Sequence, residues 1–134
     1  MRSTQVQPAL AKQPSDSSAG NHLPDTEMPL ESVPAKSPHR KYLVLLALHM
    51  MHTDDPRVLS AATDCSERTF HYVKSRLCKH DGVIINYDRA AGRYAIIHSG
   101  VLDLPRVAEL IERHYPQRYA NIKRLAAALQ RRHA

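Results

Sequence analysis

Tryptophan is absent from the 134 residues, phenylalanine occurs once, glycine four times and cysteine twice. Each scarcity removes a class of function. Cys65 and Cys78 alone cannot build a disulfide framework. No Gly-rich loop is present to cradle a nucleotide's phosphates, and no paired-carboxylate or metal-ligand motif stands out. The expectation is therefore a protein that is not an enzyme, with no cofactor, no metal and no evident small-molecule ligand. The longest apolar run, Tyr42–Leu48, falls far short of the ~20 residues that a membrane span needs. Arg2 is followed by polar residues rather than by the apolar core of a signal peptide. A cytoplasmic, nucleoid-associated location without membrane contact is expected. With so few aromatic rings, single-stranded RNA would find few stacking platforms.

What the chain does have is a sharp internal asymmetry. Residues 1–38 hold six of the nine prolines, and three basic against four acidic side chains. No apolar period survives there, so too little surface can be buried to offset the entropy of ordering. That stretch reads as a disordered N-terminal arm. Residues 39–134 carry 16 basic and 9 acidic side chains. An imbalance of that size on a small domain attracts polyanions, nucleic acid first among them.

Local patterns divide the remainder. A helix is expected over His39–His52, with Leu43, Leu46, Ala47 and Met50 on one face and Val44, Leu48 and Met51 on nearly the opposite one. The second stripe must be covered by the C-terminal helices or by another subunit. Asp55 and Pro56 start a short helix that runs to about Ala62. Ser66 caps a third, whose Phe70, Val73 and Leu77 form a narrow core stripe, and Asp81-Gly82 stops it. Rotation by 100° per residue puts Arg68, His71, Tyr72, Ser75 and Lys79 opposite that stripe, a basic face rich in donors.

Val83–Tyr87 and Arg93–Ile97 read as strands of a hairpin closed by a loop ending in Gly92. Asp103 starts a helix over Leu104–His114, and a last helix runs from about Arg118 to Arg132. Tyr119, Ile122, Leu125, Ala126 and Leu129 form its inward stripe, with Lys123, Arg124, Arg131 and Arg132 on the other face.

Three short helices and a hairpin, in that order, are the order of a winged helix-turn-helix. The fold class expected is α+β, mainly α: a winged helix-turn-helix over 39–100, two additional C-terminal helices over 101–134, and the arm over 1–38. The residues also resemble a known family. "AATDCSERTF", within Leu59–Leu77, is similar to the helix-turn-helix of bacterial DeoR-type regulators, most closely the N-terminal DNA-binding domain of the WYL-domain transcription factors. Ser66, Glu67, Arg68 and Thr69 match the start of the recognition helix, and Tyr87, Asp88, Arg89, Gly92 and Tyr94 match the wing. The resemblance covers Lys41 to His98. It departs at Asp64, where Gly is usual and some strain is expected, and at Cys65, where Leu or Val is usual. The stretch after the hairpin is too short for a WYL domain, so ligand sensing is not implied.

The resemblance and the chemistry imply a cytoplasmic regulator of transcription, a homodimer binding double-stranded DNA. The α-helical amides and hydroxyls at Ser66 and Thr69 can hold a phosphate. Arg68, His71, Tyr72, Ser75 and Lys79 would read base edges. Lys74 and Arg76 would add sequence-independent affinity, while Arg89 and Arg93 would hold the wing to the backbone or minor groove. The competing class is a winged-helix module that holds another protein. His49 and His52 have a spacing compatible with a metal pair but lack a third ligand. Cys65 is expected as a buried plug rather than a redox partner of Cys78. Leu125 and Leu129 could share a dimer interface with Val44, Leu48 and Met51.

Overall fold

The computed structural model describes residues 29–133. Five helices and a two-stranded antiparallel hairpin follow in the order α1 (Arg40–Met50), α2 (Pro56–Ala62), α3 (Glu67–His80), β1 (Ile84–Asp88), β2 (Arg93–His98), α4 (Leu104–His114) and α5 (Pro116–His133). This is an α+β architecture dominated by helix. Among the described residues, no helix is long and apolar enough to cross a membrane.

Helix α1 is the axis of the core. All six residues from Leu43 to Leu48 are buried, and α2, α3, α4, α5 and β2 each pack against it. A helix that is apolar all round requires such an environment, since any face left in water would forfeit ~1.5–3 kcal/mol for each large aliphatic side chain. The second stripe is thus enclosed within one chain: Val44, Leu48 and Met51 are fully buried, with α4 and α5 packed on α1. This corrects the dimer interface suggested for those three residues. Leu125 and Leu129 are half-buried against the same core.

Three helix starts follow from local chemistry. Asp55 accepts a hydrogen bond from the Arg57 amide at 3.0 Å, Ser66 from the Thr69 amide at 3.1 Å, and Asp103 from the Arg106 amide at 3.5 Å. Each short polar side chain satisfies one of the amides that a first turn leaves without a partner. The side chains of Arg131 and Arg132 lie outside the described residues.

The arm assigned to residues 1–38 is too long. Residues 1–28 lie outside the described residues, but the stretch from Glu31 onward is part of the folded body. Glu31 caps α5, its carboxylate accepting from the amides of Gln117 at 2.8 Å and Arg118 at 2.9 Å. Val33 is buried in the core, and its amide donates to Asp64 Oδ2 at 2.7 Å. One aliphatic residue and two polar anchors carry no period, which is why the segment reads as unstructured.

In the hairpin, Asp88 pairs with Arg93, Tyr87 with Tyr94, Asn86 with Ala95 and Ile85 with Ile96. Ile84 pairs with His98, so Ile97 is an extra residue that forms a bulge. Val83, expected in the first strand, instead lies just before it and is buried. Behind the hairpin, the Val101 amide donates to the Asp81 carbonyl at 2.9 Å, tying the chain after β2 to the end of α3. Gly100 makes that crossing possible. Its φ is +66°, and a Cβ there would stand 1.9 Å from the Asp81 carbonyl oxygen.

Candidate nucleic-acid interface

The turn between α2 and α3 fixes how α3 stands on the body, and two buried arginines hold it. Arg40, 7% exposed, donates through Nη1 to the carbonyls of Thr63 (3.2 Å) and Asp64 (2.5 Å). Its Nη2 donates to the carbonyls of Val33 (2.8 Å) and Pro34 (3.1 Å). Arg118, 6% exposed, donates through Nε to the Glu31 carbonyl (2.6 Å) and through Nη1 to those of Ala61 (3.0 Å) and Ala62 (3.2 Å). Its Nη2 lies 3.5 Å from Asp64 Oδ1. The guanidinium's planar set of donors suits such work, because several carbonyls can be satisfied at once.

Asp64 sits at the centre of this clamp with φ +58°, in the left-handed region. The expected strain is therefore present, and it is offset. Asp tolerates this backbone better than most residues, and Asp64 is tied to Val33, Arg118 and Arg40 at once. Cys65 follows as a half-buried plug, its Sγ 3.4 Å from Thr63 Oγ1.

Clamped in this way, α3 turns Phe70 and Leu77 fully into the core and leaves the opposite side open. Arg68, His71, Tyr72 and Lys79 are exposed there, and Ser75 is half-exposed between them. Tyr72 is 60% exposed, a large aromatic in open solvent. Ser66 Oγ also donates to Thr69 Oγ1 at 3.1 Å, so both hydroxyls stand at the first turn. Arg76 is exposed beside this face, its guanidinium 5.7 Å from the Tyr72 ring centre.

The hairpin closes one flank of α3. Lys74 Nζ lies 4.2 Å from the Tyr94 ring centre, a cation–π contact that ties the helix to β2. Ser75 and Cys78 face Ile85, Tyr87 and Tyr94 across a shallow groove of about 250 Å³. The Tyr87 hydroxyl donates to Asp54 Oδ2 at 2.6 Å, anchoring β1 to the α1–α2 loop. That hydrogen bond to a carboxylate raises the Tyr87 phenol above its ordinary range.

The two hairpin arginines fare differently. Arg89 is exposed in the Arg89–Gly92 turn, free to reach outward. Arg93 is half-buried, with Nη1 against His52 Nδ1 and Nε donating to the Tyr94 carbonyl at 3.2 Å. It steadies the hairpin on the body. Lys74, likewise, is partly committed to Tyr94.

Other candidates separate in space. Ser66 and Asp81 cap opposite ends of a 14-residue helix, about 20 Å apart at 1.5 Å per residue, so their side chains do not meet. His49 is exposed while His52 faces Arg93, and no metal-binding group of three or more His, Cys, Asp or Glu occurs among the described residues. Cys78 is an exposed free thiol on α3.

Arg40, Arg118 and Glu31 are the residues that sequence reading misses. The available signal was an arginine opening a helix that is otherwise apolar all round. Comparison with protein-family models, with curated proteins and with solved structures finds no match to this chain.

Proposed function

We propose that the protein is a sequence-specific binder of double-stranded DNA, a winged helix-turn-helix transcriptional regulator in which α3 reads the major groove and the hairpin acts as the wing. One observation carries this reading: α3 is fixed on its core side by Phe70, Leu77 and the clamped turn, while its outer side presents Arg68, His71, Tyr72, Ser75 and Lys79 to solvent. A helix with side chains is about 10–12 Å across, and the major groove is about 12 Å wide. At 14 residues α3 is about 21 Å long, enough to cross the groove. Arg68 and Lys79 have the chemistry to pair with guanine O6 and N7; Arg89 reaches the backbone from the wing. The assembly in this reading is a homodimer on paired half-sites.

Substitution distinguishes reading from anchoring. Arg68→Ala should relax preference at one or two base pairs by about 1–3 kcal/mol. Arg89→Ala should weaken binding to all duplexes alike and make the salt dependence shallower by about one phosphate contact. Equal, sequence-independent losses from both would reject α3 as the reader.

A second reading has its own support. Ile84, Ile97 and Val101 are exposed at the base of the hairpin, 55%, 61% and 80% respectively. A protein partner seated there would bind with little sensitivity to salt, opposite to the phosphate-driven behaviour expected of DNA.

A further inference from the structure

The flank of α3 away from the hairpin carries a feature that base reading by the outer face does not use. A shallow trough of about 420 Å³ runs between α3 and the segment before α1, with Ser37, Lys41, Thr69, Tyr72, Arg76 and His80 among its walls. A smaller one of about 240 Å³ continues it to Ser66 at the α3 N-terminus, and Arg40 and Thr69 line both.

Arg40 is 93% buried, and its Nε is the one buried side-chain polar atom left without a partner among the described residues. A donor left unsatisfied in that setting is costly, more so for a charged group, unless something accepts from it. Arg40 also forms no ion pair among the described residues: its four Nη bonds all go to carbonyls. The two carboxylates on these walls are already engaged. Asp64 is held by Val33 and Arg118, and Asp81 by Lys41 at 3.3 Å. Unneutralised positive charge from Arg40 and Arg76 remains, together with the positive end of the α3 dipole at Ser66.

We propose that this trough binds a phosphate group, with Arg40 Nε–H, the Thr69 hydroxyl and the Arg76 guanidinium as its donors. The trough lies beside the outer face of α3, on the flank opposite the wing. A phosphate held there would belong to the DNA strand bordering the groove that α3 enters, so the source of the phosphate rests on the proposed function. The site itself does not.

The test uses the full chain, labelled for the Arg Nε–H and backbone amide signals in NMR. Arg40→Ala is unsuitable because Arg40 also clamps the α2–α3 turn. Inorganic phosphate should shift the Arg40 Nε–H and the Ser66–Thr69 amides in a saturable way, and Arg76→Ala should weaken that binding about two- to fivefold. A mixed-sequence duplex of about 20 base pairs should move the same signals and compete with phosphate. Phosphate binding at the trough without any duplex binding would keep the site, assign it to a free phosphorylated ligand, and overturn the DNA reading. Duplex shifts at Arg68, His71 and Lys79, with Arg40, Ser66 and Thr69 unmoved by inorganic phosphate and by duplex alike, would overturn the site and leave the DNA reading intact. No response to either ligand overturns both.

Discussion

Replacing Arg118 by Ala tests the clamp on which the orientation of α3 depends. The substitution removes three hydrogen bonds from a guanidinium to carbonyls and the 3.5 Å approach to Asp64. A charge-assisted hydrogen bond contributes ~1.5–3 kcal/mol. Three of them would sum to more than 4 kcal/mol if independent, but water can enter the space left and satisfy part of the loss. Removing one member of a buried charged network costs ~3–5 kcal/mol in practice. Against a total stability of ~5–15 kcal/mol, that is a large fraction. At ~4–8 °C per kcal/mol for a domain of this size, the melting temperature should fall by at least about 12 °C. Urea denaturation followed by far-UV circular dichroism reads the change in midpoint and slope. Lys123→Ala, at an exposed position on the same helix, supplies the control and should stay within about 0.5 kcal/mol. A loss below about 1 kcal/mol for Arg118→Ala would refute the clamp.

Two glycines of nearly equal φ should respond very differently to alanine. Gly92→Ala meets nothing within 4 Å, so only the left-handed backbone penalty of about 1 kcal/mol applies, whereas Gly100→Ala drives Cβ into the Asp81 carbonyl and should lose several times as much by the same denaturation assay. Asp55 is held below the ordinary carboxylate range, first by its side-chain hydrogen bond with Arg57 and then by the Arg57 amide. Its contribution is fully present above about pH 4 and is lost as pH falls through the depressed folded value; Asp55→Asn should flatten that part of the stability profile. Tyr87, raised by its bond to Asp54, contributes below about pH 10 and loses that contribution as pH rises through its elevated value. Ultraviolet titration of the phenolate should show this, and Asp54→Asn should bring the transition back toward pH 10.

Much of the secondary structure was legible because its causes are local. Asp55, Ser66 and Asp103 cap helices through amides two or three residues away, and Leu104–His114 matches the observed α4 at both ends. The outer face of α3 could also be read, since helical rotation alone separates Arg68 and Lys79 from Phe70 and Leu77. What stayed hidden joins distant parts of the chain. Glu31 reaches Arg118 across 87 positions, and Arg40 reaches Asp64 across 24. No periodicity records such pairs, and an arginine in a basic sequence reads as surface charge. Arg93 illustrates the same limit: its place in the hairpin was legible, but its commitment to His52 was not.

The most direct test of the account is selection of the full chain against a random duplex library at near-physiological salt, with the salt dependence of the selected sequences then measured. Base reading by α3 predicts an enriched motif, palindromic if two copies bind together, and an affinity that falls with salt by a log–log slope of about −0.9 for each phosphate contacted. No enrichment, with an affinity for duplex that is absent or indifferent to salt, would contradict it.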